Sequence, residues 1–331
     1  MRVKGISYDT GFLRGGATSR RTFDARTVEQ ELRTIRDELH CTAVRVMGGD
    51  PERIELAAGI AADLGLEVWF SPYPLELTEA QTLELFADCA ARAERLRQRG
   101  ADVVFVAGAE LSLMNKGFIA GASTEERVAE LLRPERLPET VATVSARLGE
   151  FFAEAVPIVR KRFGGRVTYA SVPLERVDWD LFDLVSADVY RSAEVVDQFA
   201  DGVNNLVAQG KPVAITEFGS ATYRGAGDRG ANGLEIVEYD DHGPVRLRGE
   251  YARDEEGQAA YIRELLEIFE AAGVDGAFVF TFALYDHVHR PGGDPREDLD
   301  LASYGIVRTF EDRPWEPKAA FATVAEFYAT H

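Results

Sequence analysis

The chain has 331 residues, 46% of them hydrophobic and 10% aromatic, enough to bury one large core or two ordinary ones. Its formal net charge is −19, from 37 basic and 56 acidic residues. That balance argues against nucleic acid or an anionic membrane as partner, because both require a basic face.

Taken in chain order, residues 3–8 form a short strand, followed by a Gly- and Arg-rich loop over 11–21. Asp24 is placed to cap an amphipathic helix with Val28, Leu32, Ile35 and Leu39 at helical spacing. A second strand covers 42–48. Pro51 then opens a helix whose buried stripe is Ile54, Ala57, Ala58 and Ala61, and Gly65 closes it. Strand three covers 66–70, a long helix runs over 78–99 to Gly100, and strand four covers 103–106. The polar stretch 116–138 interrupts the pattern, with Arg133-Pro-Glu-Arg-Leu-Pro138 read as linker or a short extra turn. A helix over 139–163, kinked at Pro157, leads to strands at 167–171 and 184–190. Between those two strands lies a short helical connection near 179–182. A helix over 195–208 leads to a strand at 213–216, and 278–282 and a terminal helix over 318–328 complete the chain.

Eight strands, nearly all separated by helical segments, predict parallel pairing with helical crossovers. The fold class expected is α/β, a single-domain (β/α)8 TIM barrel over 1–331. An open doubly wound sheet fits less well, because the first loop, Thr10-Gly-Phe-Leu-Arg-Gly-Gly16, lacks the Gly-x-Gly-x-x-Gly spacing. Residues 221–254 read as an insertion after strand seven. Alternating segments 234–239 and 245–248 flank the turn Asp240-Asp-His-Gly243, which predicts a β-hairpin beside the face where barrels carry their active sites.

Cys41 and Cys89 form no disulfide framework or metal-ligand spacing, so buried inert thiols are expected. The start of the chain has no apolar signal-peptide core, and no window approaches 18 apolar residues. A cytoplasmic location, no membrane association and no cofactor are the expectations.

Two stretches carry the chemistry. Lys211-Pro-Val-Ala-Ile-Thr-Glu-Phe-Gly219 delivers Glu217 at the carboxyl end of a buried strand, where a carboxylate needs partners or must neutralise. Taken alone, Glu217 is equally well read as escaping to solvent or pairing with an Arg. Asp102-Val-Val-Phe-Val-Ala-Gly-Ala-Glu110 repeats the design. In a barrel both carboxyls reach the mouth, which is the equipment of glycoside hydrolysis. Ala107, Gly108 and Ala109 leave room for a ligand beside Glu110, the candidate acid. Arg45 and Tyr190 are the donors available to keep Glu217, the candidate nucleophile, ionised.

These features together resemble the clan A glycoside hydrolases, the 4/7 superfamily of retaining barrel glycosidases. The carriers are Glu110 on strand four, Glu217 in Ile-Thr-Glu-Phe-Gly, Arg45 in Val-Arg-Val and Tyr190 on strand six. Trp315-Glu-Pro-Lys-Ala-Ala-Phe321 also looks like the closing segment of many members. The resemblance implies that Glu110 is acid/base, Glu217 is nucleophile, and Arg45 and Tyr190 hold Glu217 charged. Two positions depart from the family. Ala109 stands where an Asn usually precedes the acid/base, and strand eight lacks the usual Trp platform, leaving Phe282 or Tyr285 as its substitutes.

Other candidates for substrate contact are Asp9, which reads equally as a loop cap, and Tyr73, a better platform than the core residue Trp69. Asp188 shares a face with Tyr190, with Arg45 and Arg191 as its two possible partners. His287, in Tyr285-Asp-His-Val-His289, is read as part of a polar subsite rather than a metal site, and residues 294–300 as a solvated acidic loop. The function expected is a retaining glycosidase or transglycosylase acting on a soluble carbohydrate. The alternatives are a metal-assisted isomerase or lyase using Glu110, Glu217, Asp286 and His287, and a non-catalytic carbohydrate-binding barrel.

Overall fold

The structure is a computed structural model describing residues 1–131, 133, 135–240 and 243–331. Eight parallel strands form its central sheet: β1 (Val3–Asp9), β2 (Ala43–Gly48), β3 (Glu67–Pro72), β4 (Val103–Ala109), β5 (Arg166–Ala170), β6 (Val185–Asp188), β7 (Val213–Phe218) and β8 (Gly276–Val279). Their spatial order is β5-β4-β3-β2-β1-β8-β7-β6. The two ends meet through a parallel bridge between Ser171 and Ala187, and the Asp188 amide donates to the Ser171 carbonyl at 2.7 Å. The sheet thus closes into a (β/α)8 barrel.

The helices form for the local reasons visible in their termini. Asp24 caps Ala25–Asp37 by accepting from the Thr27 amide. Pro51 occupies the first turn of Pro51–Asp63, and Thr78 with Gln81 makes a reciprocal capping box at Glu79–Gln98. Within the polar interruption 116–138 the chain forms a further helix, Thr124–Leu131; of the stretch 133–138 read as linker or short turn, residues 135–136 form a turn and Pro134 lies outside the described residues. That helix is anchored by the buried Arg127, which donates to the Leu113 carbonyl at 2.6 Å and to Glu76 at 2.8 Å. The connection from β5 to β6 carries only a single 3-10 turn, Trp179–Leu181.

The barrel interior is filled by Val3, Ala43, Met47, Trp69, Val104, Val106, Leu184, Ala214 and Phe278, with the Trp69 and Phe278 rings 4.6 Å apart. Ile6, Val44, Phe70, Phe105 and Ile215 face outward and pack beneath the helices. Side chains alternate along a strand, so Arg45 shares the inward face of Ala43 and Met47. Cys41 and Cys89 are both buried and free.

Two strands break the alternation. Between Ile215 and Glu217, β7 carries one more residue than β6, and it also slips against β8 before Phe218. Between Val106 and Ala109, β4 carries one more residue than β5, at Gly108, whose φ is +84°. Each is a β-bulge, a device that re-aims the residues beyond it. The strands concerned are those ending in Glu110 and Glu217.

The insertion after β7 folds as two 3-10 segments, Ala226–Asp228 and Gly230–Ile236, and an antiparallel pair, Val237–Asp240 with Gly243–Leu247. The hairpin is therefore present, but residues 234–236 belong to the 3-10 segment before it. Asp241 and His242 of the expected turn lie outside the described residues. The helix Glu255–Ala272 then returns the chain to β8.

Candidate active site

Three acidic residues converge at the carboxyl ends of β4, β6 and β7. One carboxylate oxygen from each of Glu110, Asp188 and Glu217 lies within 4.8 Å of the other two. Arg45 stands behind them with no exposed side-chain surface, its Nη1 3.6 Å from Asp188 and 3.5 Å from Glu217. The guanidinium is held in place: Nη1 also donates to the Thr216 carbonyl at 2.8 Å, and Nε donates to Ser71 Oγ at 3.2 Å. Tyr190 donates its hydroxyl to Glu217 Oε1 at 2.7 Å.

The electrostatics follow from counting charges. Burial and the negative Asp188 push Glu217 up to about 8, against the opposing pull of Arg45 and Tyr190. Burial, then Glu217, Asp188 and Glu175, push Glu110 well above the ordinary carboxylate range. Among the described residues no cation lies within ion-pair distance of Glu110. Glu217 thus has a guanidinium and a phenol donor beside it that favour its charge, and Glu110 has neither at that range. The three oxygens have a spacing that a cation could bridge, but Arg45 already provides the counter-charge for two of them.

A second buried network braces Glu110 from below. Glu110 adopts a left-handed conformation, φ 46°, as its strand turns into the short helix Leu111–Met114. Glu175, from the loop after β5, accepts from the Ser112 amide at 3.1 Å, Ser112 Oγ at 2.5 Å, the Tyr169 hydroxyl at 2.7 Å and the Val172 amide at 3.2 Å. Tyr169 Oη in turn accepts from the Leu111 amide at 2.8 Å. Burial pushes Glu175 up to about 7 despite these donors.

The mouth opens beside Glu110 into a cleft of about 530 Å³, within the usual range for small-molecule sites. Asp188 and Tyr190 line one side; Arg229, Asn232 and Glu235 of the insertion line the other. The insertion is tied to the site through Tyr304. Its hydroxyl donates to the Gly230 carbonyl at 3.0 Å and accepts from the Gly233 amide at 2.9 Å, while its ring meets Tyr190 edge-on at 5.9 Å.

The remaining expected site residues are placed differently. Tyr73 reaches the mouth but is 7% exposed, its ring 5.0 Å from Phe12. Asp9 is a loop cap: it accepts from the Gly11 amide at 2.6 Å and Ser19 Oγ at 2.8 Å, which occupies both carboxylate oxygens. Phe282 points outward, fully buried against Tyr8 and Trp315, and so is no sugar platform. Tyr285 donates to Glu31 at 2.9 Å and lies 3.9 Å under the Arg20 guanidinium, outside the cluster. His287 is buried against Asp286, at 2.7 Å, whereas His289 pairs with Asp298 at 2.8 Å, so the two histidines do not converge. Residues 294–300 are not a solvated acidic loop throughout, since Asp300 is fully buried and pairs with Lys318 at 2.8 Å and Arg253 at 2.7 Å.

Sequence inspection missed Glu175, Tyr304 and Phe280. Phe280 is the aromatic that shares the inward face of Phe278, and it remains partly exposed at the mouth with Phe12, Leu75 and Met114. The period-2 spacing from Phe278 was the available signal.

No family model and no curated protein sequence matches the chain. Solved structures do. A GH113 β-1,4-mannanase superposes with a TM-score of 0.63 at 16% identity, covering 99% of each chain. The endo-1,4-β-D-mannanase from Thermotoga petrophila RKU-1 superposes at 0.53 with 13% identity over 100% of both chains. β-Glucuronidase 2 from Bacteroides uniformis gives 0.59 at 12% identity, with this chain covering 35% of it. The chain thus shares its (β/α)8 barrel fold with these solved structures. Among the described residues no helix is long and apolar enough to cross a membrane.

Proposed function

We propose that the protein is a retaining glycoside hydrolase, or a transglycosylase working by the same two steps, acting on a soluble glycoside or oligosaccharide. The observation that carries this reading is the close approach of Glu110 and Glu217, with oxygens within 4.8 Å. Retaining enzymes place their carboxyls about 5–5.5 Å apart, whereas inverting enzymes leave room for a water between them.

In the first step the Glu217 carboxylate attacks the anomeric carbon, and the bond from that carbon to the leaving oxygen breaks. Glu110 gives its proton to the departing oxygen. In the second step Glu110, now ionised, takes a proton from water, or from a sugar hydroxyl in transglycosylation. The oxygen so freed attacks the anomeric carbon, and the ester bond to Glu217 breaks. Arg45 and Tyr190 favour the charge that Glu217 carries before attack and recovers at the end. The mouth aromatics Phe12 and Phe280 offer faces for a sugar ring, and the insertion walls the cleft opposite Tyr190.

The test is turnover of a panel of aryl glycosides by the wild type and by Glu217→Ala, with azide added to the mutant. The expected result is wild-type turnover, its loss in the mutant, and recovery as a glycosyl azide of inverted configuration. A folded wild type that turns over none of the panel would sink the proposal.

A further inference from the structure

A pair of catalytic glutamates beside one arginine needs no third carboxyl, yet Asp188 is there. It is fully buried, 3.6 Å from the same Arg45 nitrogen that lies 3.5 Å from Glu217. Arg45 cannot turn toward either acid alone, because its Nη1 and Nε are bound to the Thr216 carbonyl and Ser71. One guanidinium therefore serves two carboxylates, with Glu110 a third inside the same 4.8 Å sphere.

We infer that Asp188 is a positioning residue for protons: by sharing Arg45 while ionised, it sets the pH range in which Glu217 is a nucleophile and Glu110 an acid. The inference rests on the glycosidase reading for its kinetic consequence. The groups facing the cluster are Arg45 from β2, Tyr73 from the loop after β3, Glu110 from β4, Tyr190 beyond β6 and Glu217 from β7, with Tyr304 beside Tyr190; Glu175 acts on Glu110 from the loop after β5, and Glu194, Asp228, Arg229 and Glu235 line the cleft beyond. Among the described residues Arg45 is the sole cation within ion-pair distance of the cluster, and Arg229 is paired with Glu235. A unit charge at this range inside a protein moves its neighbour by roughly one to three pH units. Ionised Asp188 opposes ionisation of both glutamates, so its loss should release both at lower pH.

Asp188→Asn keeps the shape and removes the charge. On a glycoside that the wild type turns over, both limbs of the kcat/KM profile should move to lower pH by at least roughly one unit. The ratio of mutant to wild type would then be about tenfold greater near the acid limb than on the plateau. Limbs that superimpose would overturn the inference, since they would mean that Asp188 is itself protonated in the working enzyme. A second readout needs no turnover: carbon-13 NMR titration of the glutamate carboxyls, assigned with Glu110→Gln and Glu217→Gln. Lower midpoints in Asp188→Asn support the inference, and unchanged midpoints overturn it. Asp188→Ser is the substitute if Asn prevents folding. If the wild type turns over no sugar while the midpoints still fall, the hydrolase reading fails and the control by Asp188 stands.

Discussion

Tyr190 donates its hydroxyl to Glu217 at 2.7 Å, and the bond joins the end of β6 to the end of β7 across the site. The phenol stabilises the ionised carboxylate, and a hydrogen bond to a charged group contributes roughly 1.5–3 kcal/mol. Tyr190→Phe should therefore lower kcat/KM by about 10- to 100-fold. It should also move the acid limb of the pH profile upward, because Glu217 loses a donor that favours its charge. Steady-state kinetics across pH would check both effects.

The wild-type profile should itself lie high. Glu217 is pushed up to about 8, so its ionisation, and with it the rising limb, belongs well above the ordinary carboxylate range. An acid limb at the pH of an unperturbed glutamate would contradict the charge count at the site.

Glu175 holds the backbone just beyond Glu110 through Ser112 and Tyr169. In Glu175→Gln an amide NH2 meets donors that need an acceptor, so the acid should drift while Glu217 is undisturbed. Glycosides with poor leaving groups should lose roughly tenfold or more in rate, while dinitrophenyl glycosides, which need little acid assistance, should be nearly unaffected. Equal losses on both would show a general structural role.

Gly108 makes the β4 bulge. A Cβ there would lie 2.8 Å from Leu111 Cδ2 and 3.0 Å from Phe86 Cζ, at a φ of +84°. Gly108→Ala should cost about 1–3 kcal/mol of stability. It should also reduce activity at temperatures where the fold is intact, since Glu110 lies two residues on. Urea unfolding alongside kinetics separates the two.

Asp9 gives a pH signature in stability. Burial pushes it up to about 7, above the value of about 3.9 in an unfolded chain. The folded state thus binds the proton more tightly. Its contribution is complete below the unfolded value and is lost as pH rises through about 7. Asp9→Asn should remove that loss, gaining on the wild type by a few kcal/mol, order of magnitude, between about pH 4 and about pH 7. Urea midpoints measured across that range provide the check.

Much of the fold was legible because its signals are local. The caps at Asp24 and Thr78, the Pro51 start and the apolar runs behind Glu110 and Glu217 each depend on a few neighbouring residues. Expectation and structure part at the mouth of the barrel. Phe282 and Tyr285 are aromatics near the end of β8, but the chain leaves strand pairing there, and Glu31, 254 positions away, takes the Tyr285 hydroxyl. Asp188 had two possible arginine partners, and only barrel closure brings it to Arg45.

The sequence by itself determined eight strands, most of their helical crossovers, and the arrival of Arg45, Glu110, Tyr190 and Glu217 near the carboxyl ends. Periodicity and capping are short-range physics, and nothing distant is needed to express them. Tertiary structure decided where those residues point. Simple alternation would put Glu217 on the outward face of Ile215, and a single extra residue in β7, defined only against both neighbouring strands, turns it into the barrel. The charge state of the site was decided in the same way, because proton affinity depends on how many carboxyls share one guanidinium in a buried space, and that number exists only once β2, β4, β6 and β7 have met.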